Sequence, residues 1–196
     1  TETDESERRQ KEFEERSQLF MDTMNVDEVV AQLLVSEGFS NLEEVAYVET
    51  DELLMIEGFD QDTVDELQAR ARESLEEINA KSIAEARELG VAQDLIDFEG
   101  LSPQMLVALG KDDVKSLEDF ATCADWELAG GYTTVDGERH KDDGVLESFE
   151  VNIQEAQDMI MRARLQIGWV TEEQLAEDAA AAEAANADTN SEGAET

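Results

Sequence analysis

Residues 38–46, GFSNLEEVA, lie over residues 113–121, DVKSLEDFA, at an offset of 75, and this internal repeat constrains the fold more than any other feature of the chain. Paired positions keep their chemistry. Leu42 falls on Leu117, Val45 on Phe120 and Ala46 on Ala121, with acids kept at Glu43/Glu118 and Glu44/Asp119. Further on, LQARARESL (67–75) lies over MIMRARLQI (159–167), so Arg70, Ala71 and Arg72 meet Arg162, Ala163 and Arg164 at an offset of 92. Growth of the offset from 75 to 92 places 17 extra residues in the second copy. The segment 130–144, GGYTTVDGERHKDDG, is Gly-rich, polar and aperiodic, so the insertion is expected there as a long loop or a small hairpin. At 196 residues the chain has room for one mid-sized domain or two small ones, and the repeat selects two.

Within each copy the apolar residues recur at helical spacing in short groups: Leu33 and Leu34, then Leu42, Val45 and Ala46, then Val64, Leu67, Ala71 and Leu75. Breaks fall at Gly38 and Gly58, each followed by Phe (Phe39, Phe59) and an expected N-cap, Ser40 or Asp60. No stretch alternates β-branched or aromatic residues with polar ones over a useful length, so the fold is expected to be all-α. One unit, apolar-x-apolar-Glu-Gly-apolar, occurs at Leu54, Ile56, Gly58 and Phe59 and again at Ile96, Phe98, Gly100 and Leu101. Glycine takes positive φ without penalty, which lets a second helix fold back on the first. Gly38, Gly58, Phe59, Gly100 and Leu101 are therefore read as structural turns of tandem helix-hairpin-helix, SAM-like domains.

Hairpins of this type hold phosphates on backbone N–H groups at the start of the second helix. Here the turns IEGFD and FEGLS are flanked by Glu57, Asp60, Asp62 and Glu99, and the whole chain carries 51 acids against 14 Lys plus Arg, a net charge of -37. Direct nucleic-acid or anionic-membrane contact is opposed, and a basic partner is favoured. Cys123 is the only cysteine, which fits a reducing compartment without a disulfide framework. No apolar run approaches about 18 residues and no signal-peptide pattern opens the chain, so a soluble, unsecreted, cytoplasmic protein is expected.

The flanks differ from the repeats. Residues 1–18 carry seven acids and four bases, read as a solvated lead-in helix with ion pairs one turn apart; lacking an initiator Met, it is expected to continue something upstream. The first repeat is read as 19–78, a short flexible linker as 79–90 with Gly90 as its C-cap, and the second repeat as 91–170. Residues 171–196 are read as an acidic tail, largely disordered, opened by a capping box of Thr171 and Gln174.

Catalytic chemistry finds little support. His140 has Asp136, Glu138, Asp142 and Asp143 near it in sequence, but lacks the ligand spacing of an EF-hand and the Cys or His partners of a zinc site. Cys123 and His140 form no recognisable nucleophile signature, and paired carboxylates arise by chance among 51 acids. No catalytic residue, metal or cofactor is assigned. The large apolar residues, among them Phe20, Met24, Phe98, Phe120 and Met159, sit at core spacing; Trp126 and Trp169 stand out because tryptophan is favoured at interface hot spots. Arg70, Arg72, Arg162 and Arg164 are read as complementing helix dipoles and nearby acids, with docking of a partner as the alternative.

The motifs LVSEGFSNLEEVAYV, IEGFDQDTVDELQARA, LIDFEGL and SLEDFA, with Trp169 trailing MIMRARLQIG, together resemble the C-terminal acidic repeats of the bacterial NusA family of transcription elongation and termination factors. The resemblance covers roughly residues 19–170, and the lead-in ESERRQKEFEER is similar to the segment that follows the KH modules there. It implies a non-catalytic interaction module in transcription elongation, pausing, termination and antitermination. Implied partners are RNA polymerase, through the C-terminal domain of its α subunit, basic antitermination proteins, and the parent protein's own RNA-binding modules, which the acidic tail would mask. Leu117, Glu118, Asp119, Trp126, Arg162, Arg164 and Trp169 are the candidate partner-binding residues. This copy departs from the pattern where SFEVNIQEA (148–156) replaces the Glu-Gly turn and where the insertion enters. The alternatives are a nucleic-acid-binding helix-hairpin-helix domain and, more remotely, a hydrolase using a metal in the 130–144 loop.

Overall fold

A computed structural model describes residues 2–191 and divides them into two compact units, with the boundary between Lys81 and Ser82. The first unit holds α1 (Glu2–Met24), α2 (Glu28–Ser36), α3 (Leu42–Tyr47), α4 (Thr50–Leu54) and most of α5 (Gln61–Glu88). The second holds α6 (Gln93–Ile96), α7 (Pro103–Lys111), α8 (Leu117–Thr122), α9 (Asp125–Ala129), strands β1 (Gly131–Val135) and β2 (Glu138–Asp142), a 3-10 turn (Glu147–Phe149), α10 (Ile153–Gln166) and α11 (Glu172–Ser191). The class is helical, with one two-stranded antiparallel hairpin as the exception to an all-α expectation. That hairpin lacks the alternation that betrays a half-buried strand because nearly all its residues face solvent.

The repeat runs through the backbone. Helices α2, α3 and α4 fall on α7, α8 and α9 at the offset of 75, cap for cap: Asp27 and Ser102 receive N–H bonds from Val30 and Met105, and Asn41 and Ser116 from Glu44 and Asp119. The N-cap of α3 is thus Asn41 and not Ser40, whose N–H instead reaches the Glu44 carboxylate at 2.7 Å. Asp60 and Asn152 then begin α5 and α10 at the offset of 92, accepting from Thr63 and Glu155 at 2.8 and 2.9 Å.

Each unit has its own core. In the first, Phe20, Met24, Leu34, Val45, Leu53 and Val64 are fully or nearly fully buried. Phe98 and Phe120 centre the second, with ring centroids 5.7 Å apart, among Leu106, Leu128, Leu146 and Ile160. The charged lead-in is not a separate piece: α1 runs on to Met24, and its Phe20 and Met24 fill the first core while Arg8, Arg9 and Lys11 pair with Glu residues four positions away.

Two expectations about the flanks change. Residues 79–88 of the supposed flexible linker continue α5, and Ala86 is wholly buried in the second core. The helix ends at Gly90, φ +90°, with the Val91 N–H returning to Ala86 O at 3.0 Å in a Schellman closure. Where a largely disordered tail is expected, α11 extends to Ser191; residues 192–196 of that tail lie outside the described residues. Thr171 and Gln174 close a capping box at 3.0 and 3.3 Å, and the alanine-rich sequence behind it has high intrinsic helix propensity.

Candidate functional site

Three pairs of equivalent turn positions in the two copies adopt positive φ, and glycine alternates between their members. Asn25 (+52°) corresponds to Gly100 (+103°), Gly38 (+98°) to Asp113 (+63°), and Gly58 (+93°) to Glu150 (+60°). The turn geometry is therefore kept while the residue is not. It follows that Gly58 and Gly100, alike in local sequence, occupy different places: Gly58 joins α4 to α5, whereas Gly100 precedes α7. Leu101 behind it is a core residue, and Phe59 packs partly buried against the first core.

The insertion is bounded as tightly as the register allows. Met55 N–H bonds Glu52 O at 3.3 Å in the first copy, and Val145 N–H bonds the equivalent Glu127 O at 2.9 Å in the second. Ile56 to Leu53 O and Leu146 to Leu128 O repeat the match. Ala129 and Val145 thus stand where Leu54 and Met55 are directly bonded, and residues 130–144 form an excursion whose ends touch, which accounts for 15 of the 17 extra residues, the other two falling between Leu146 and Glu150. A Cβ on Gly144 would lie 2.1 Å from Gly130 N, so only glycine fits this neck.

The four arginines pin turns inside the repeats. Arg70 bonds Met24 O at 3.4 Å and Asn25 O at 2.8 Å, and Arg162 bonds the equivalent Glu99 O at 3.3 Å while lying over the Phe98 ring. Arg72 Nε bonds Ala46 O at 3.2 Å, and Arg164 Nε bonds the equivalent Ala121 O at 2.9 Å. They complement carbonyl-rich helix ends, but those of neighbouring helices and not of their own. Two residues apart on one helix, Arg162 and Arg164 face different grooves: one with Gly100, Phe149 and Met159, the other with Cys123, Asp125 and Gln157.

The remaining candidates separate in the same way. Leu117 is 2% exposed and belongs to the core, which corrects its reading as a docking residue: as the first residue of α8 it turns inward. Asp119 closes a capping box, accepting from Lys115 and Ser116 N–H groups at 3.2 and 3.0 Å, and those bonds hold its carboxyl below the usual carboxylate range. Glu118 is exposed, and Trp126 and Trp169 are about half exposed, at 49% and 48%.

An acidic groove is built twice in register. In the first unit Glu37, Glu43, Glu44 and Glu52 surround Phe39 and the exposed Tyr47; in the second Asp112, Asp119 and Glu127 surround Val114, Thr122 and Cys123. Sequence reasoning did not find this groove, although its acids recur at the offset of 75. It also missed Gln68, buried on α5, whose amide donates to Val48 O at 2.9 Å. A polar residue in the apolar stripe of α5 was the available signal.

The turn amides bear on what the hairpins can bind. Ser40, Ser116 and Asn152 N–H groups, each at the start of a second helix, already hold the carboxylates of Glu44, Asp119 and Glu155 at 2.7–3.0 Å. Cys123 has its thiol pushed up to about 11 by burial and then by Glu127, Asp112 and Asp119, so it is not an activated nucleophile. Among the described residues no cluster of three or more His, Cys, Asp or Glu has metal-binding geometry, and no helix is long and apolar enough to cross a membrane. His140 sits on β2 opposite Thr133.

Residues 25–73 match the SAM-like helix-hairpin-helix tandem family. The chain is 38% identical over 119 residues to the transcription termination/antitermination protein NusA of Rickettsia prowazekii (strain Madrid E) and, equally, to that of Rickettsia conorii (strain ATCC VR-613 / Malish 7). Each alignment covers 61% of this chain and 24% of the relative's length, so this chain spans about a quarter of the proteins it is similar to. The likeness and the tandem motif together fit a NusA C-terminal region.

Proposed function

We propose, with the similarity to NusA as premise, that these two repeats form a non-catalytic protein-interaction module that regulates transcription elongation, pausing, termination and antitermination in the cytoplasm. The module docks on RNA polymerase through the C-terminal domain of the α subunit and on basic antitermination proteins. It also folds onto the RNA-binding modules of the parent protein and masks them until polymerase draws it away. A tethered acidic domain competes with RNA for a basic groove at high effective concentration, which is the physical basis of such masking.

The observation that carries the reading is the occupation of the amides that open α3, α8 and α10, while the Gly58 and Gly100 turns carry the flanking acids Glu57, Asp60, Asp62 and Glu99. A phosphate approaching the turns at Ser40, Ser116 or Asn152 must displace a carboxylate already bonded there, within a field of net charge -37. The helix-hairpin-helix motif here therefore serves as a scaffold for protein contacts and not as a nucleic-acid clamp. Of the exposed candidate residues in the second repeat, Glu118, Trp126 and Trp169 are assigned to the docking face, with Arg162 and Arg164 shaping it by fixing the turns.

An NMR titration of the 15N-labelled chain with the C-terminal domain of the polymerase α subunit, then with a basic RNA-binding module of the parent protein, then with RNA, tests this. Shifts around Glu118, Trp126 and Trp169 with the proteins are the expected result. Shifts with RNA alone would transfer the function to direct nucleic-acid binding.

A further inference from the structure

The hairpin of 131–142 belongs to neither core and is not needed to complete either repeat. Its turn, Asp136-Gly137, has φ of +53° and +85°, the two-residue loop whose twist suits a tight antiparallel ribbon. The closing pair of such a loop exchanges both backbone bonds, and bonded pairs then alternate. With Val135 opposite Glu138, the bonded pairs are Val135/Glu138, Thr133/His140 and Gly131/Asp142. Tyr132 and Thr134 on β1, and Arg139 and Lys141 on β2, consequently turn their N–H and C=O groups outward, away from the partner strand.

The two edges are guarded differently. Along β2 stand Glu138, Arg139, Lys141 and Asp142, long charged side chains of the kind that blunt strand addition. Along β1 stand Tyr132, Thr133, Thr134 and Val135, uncharged and rich in β-branched and aromatic residues; Tyr132 and Val135 are 61% and 54% exposed. Among the described residues no further strand pairs with this edge, and a two-stranded ribbon by itself gains little from its own pairing.

We infer that the β1 edge of the insertion hairpin is a strand-acceptor site, which takes a Lys- or Arg-bearing extended segment of a partner protein as an antiparallel or parallel third strand. Backbone groups of Tyr132 and Thr134 supply the ladder, as in other peptide recognition by strand addition. Charge selects the occupant. The hairpin's own cations are engaged, Arg139 over the Tyr132 ring at 4.0 Å and Lys141 with Glu147 and Asp143 at 2.9 and 3.4 Å. Glu138 lies on the face shared with Thr133, His140 and Val135, where it can meet a lysine on an added strand, and Asp142 on that face already accepts from Thr133 Oγ1 at 2.8 Å. A second copy of this chain would bring a net charge of -37 against another -37 and is disfavoured, as is an acidic segment or a nucleic acid. The site uses only residues of the insertion and is independent of the docking face assigned above.

The test is amide hydrogen exchange by NMR on the 15N-labelled chain with a nine-residue peptide alternating Lys with Val and Thr. The same peptide with Glu for Lys, one N-methylated at consecutive amides so that both of its edges are blocked, and a single-stranded oligouridylate serve as comparisons. Exchange at Tyr132 and Thr134 should slow by about 1 + [L]/Kd with the Lys peptide, about tenfold at ten times Kd, and remain fast with the other three. Shifts scattered over the acidic surface without protection at those two amides would overturn the proposal, as would no protection with any peptide. Equal protection with the N-methylated peptide would remove the ladder, protection with oligouridylate would make the site one for nucleic acid, and protection that rises with protein concentration alone would make the occupant a second copy.

Discussion

Replacing Glu150 by glycine is expected to stabilise the second unit, against the usual direction for a glycine introduced into a fold. Glu150 sits at φ 60°, ψ 25°, where its repeat counterpart is Gly58. A side chain in the left-handed region costs about 1–2 kcal/mol. Glycine widens the unfolded ensemble and gives back about 0.4–1 kcal/mol of that. A net gain of about 0.5–1 kcal/mol remains, or roughly 2–5 °C in Tm for a unit of this size. Charge must be separated from backbone, because Glu155 and Asp158 line the same groove as Glu150. The comparison is therefore between Glu150→Gly, Glu150→Ala, which removes the charge and keeps the strain, and Glu150→Gln. Both tryptophans, Trp126 and Trp169, lie in the second unit, so urea unfolding followed by tryptophan fluorescence reads that unit alone. A midpoint for Glu150→Gly at or below that of Glu150→Ala would refute the argument.

Three further outcomes follow from the same register. Deleting residues 130–144 and joining Ala129 to Val145 recreates the Leu54–Met55 bond of the first copy, so the second unit should unfold at an unchanged or higher urea midpoint; collapse of the fluorescence transition would show that the hairpin is needed for folding. Arg164→Met should cost about 1–2 kcal/mol, since it leaves the Ala121 carbonyl without its donor at 2.9 Å, and Arg162→Met should cost less because its bond is 3.3 Å long; equal midpoints would count against this reading. Acid should weaken the second unit: the folded pKa of Asp119 is depressed, by the Lys115 N–H first, so its contribution is present above the unfolded value of about 3.9 and lost as pH falls through the folded value. Asp119→Ala should flatten that acid limb in fluorescence-monitored unfolding between pH about 5 and about 2.

Much of the scaffold was legible because it rests on local rules. Helical class follows from apolar spacing, and the capping box of Thr171 and Gln174 is spelled by residues three apart. The candidate site was legible only in part. Leu117 stands beside Glu118 and Asp119 in sequence and was grouped with them, yet the first residue of α8 is turned into the core by the direction of that helix. Arg162 and Arg164 looked like a pair, and the helical period sends them to different grooves.

What the sequence determined by itself was the repeat: offsets of 75 and 92 force two copies and an insertion, because equivalent side chains at equivalent spacings must fold alike. Only the tertiary structure decided which residues stand in the left-handed turns. Asn25, Asp113 and Glu150 are held there by the helices on either side, and at Asn25 the turn is also pinned by Arg70, which bonds the Asn25 carbonyl at 2.8 Å.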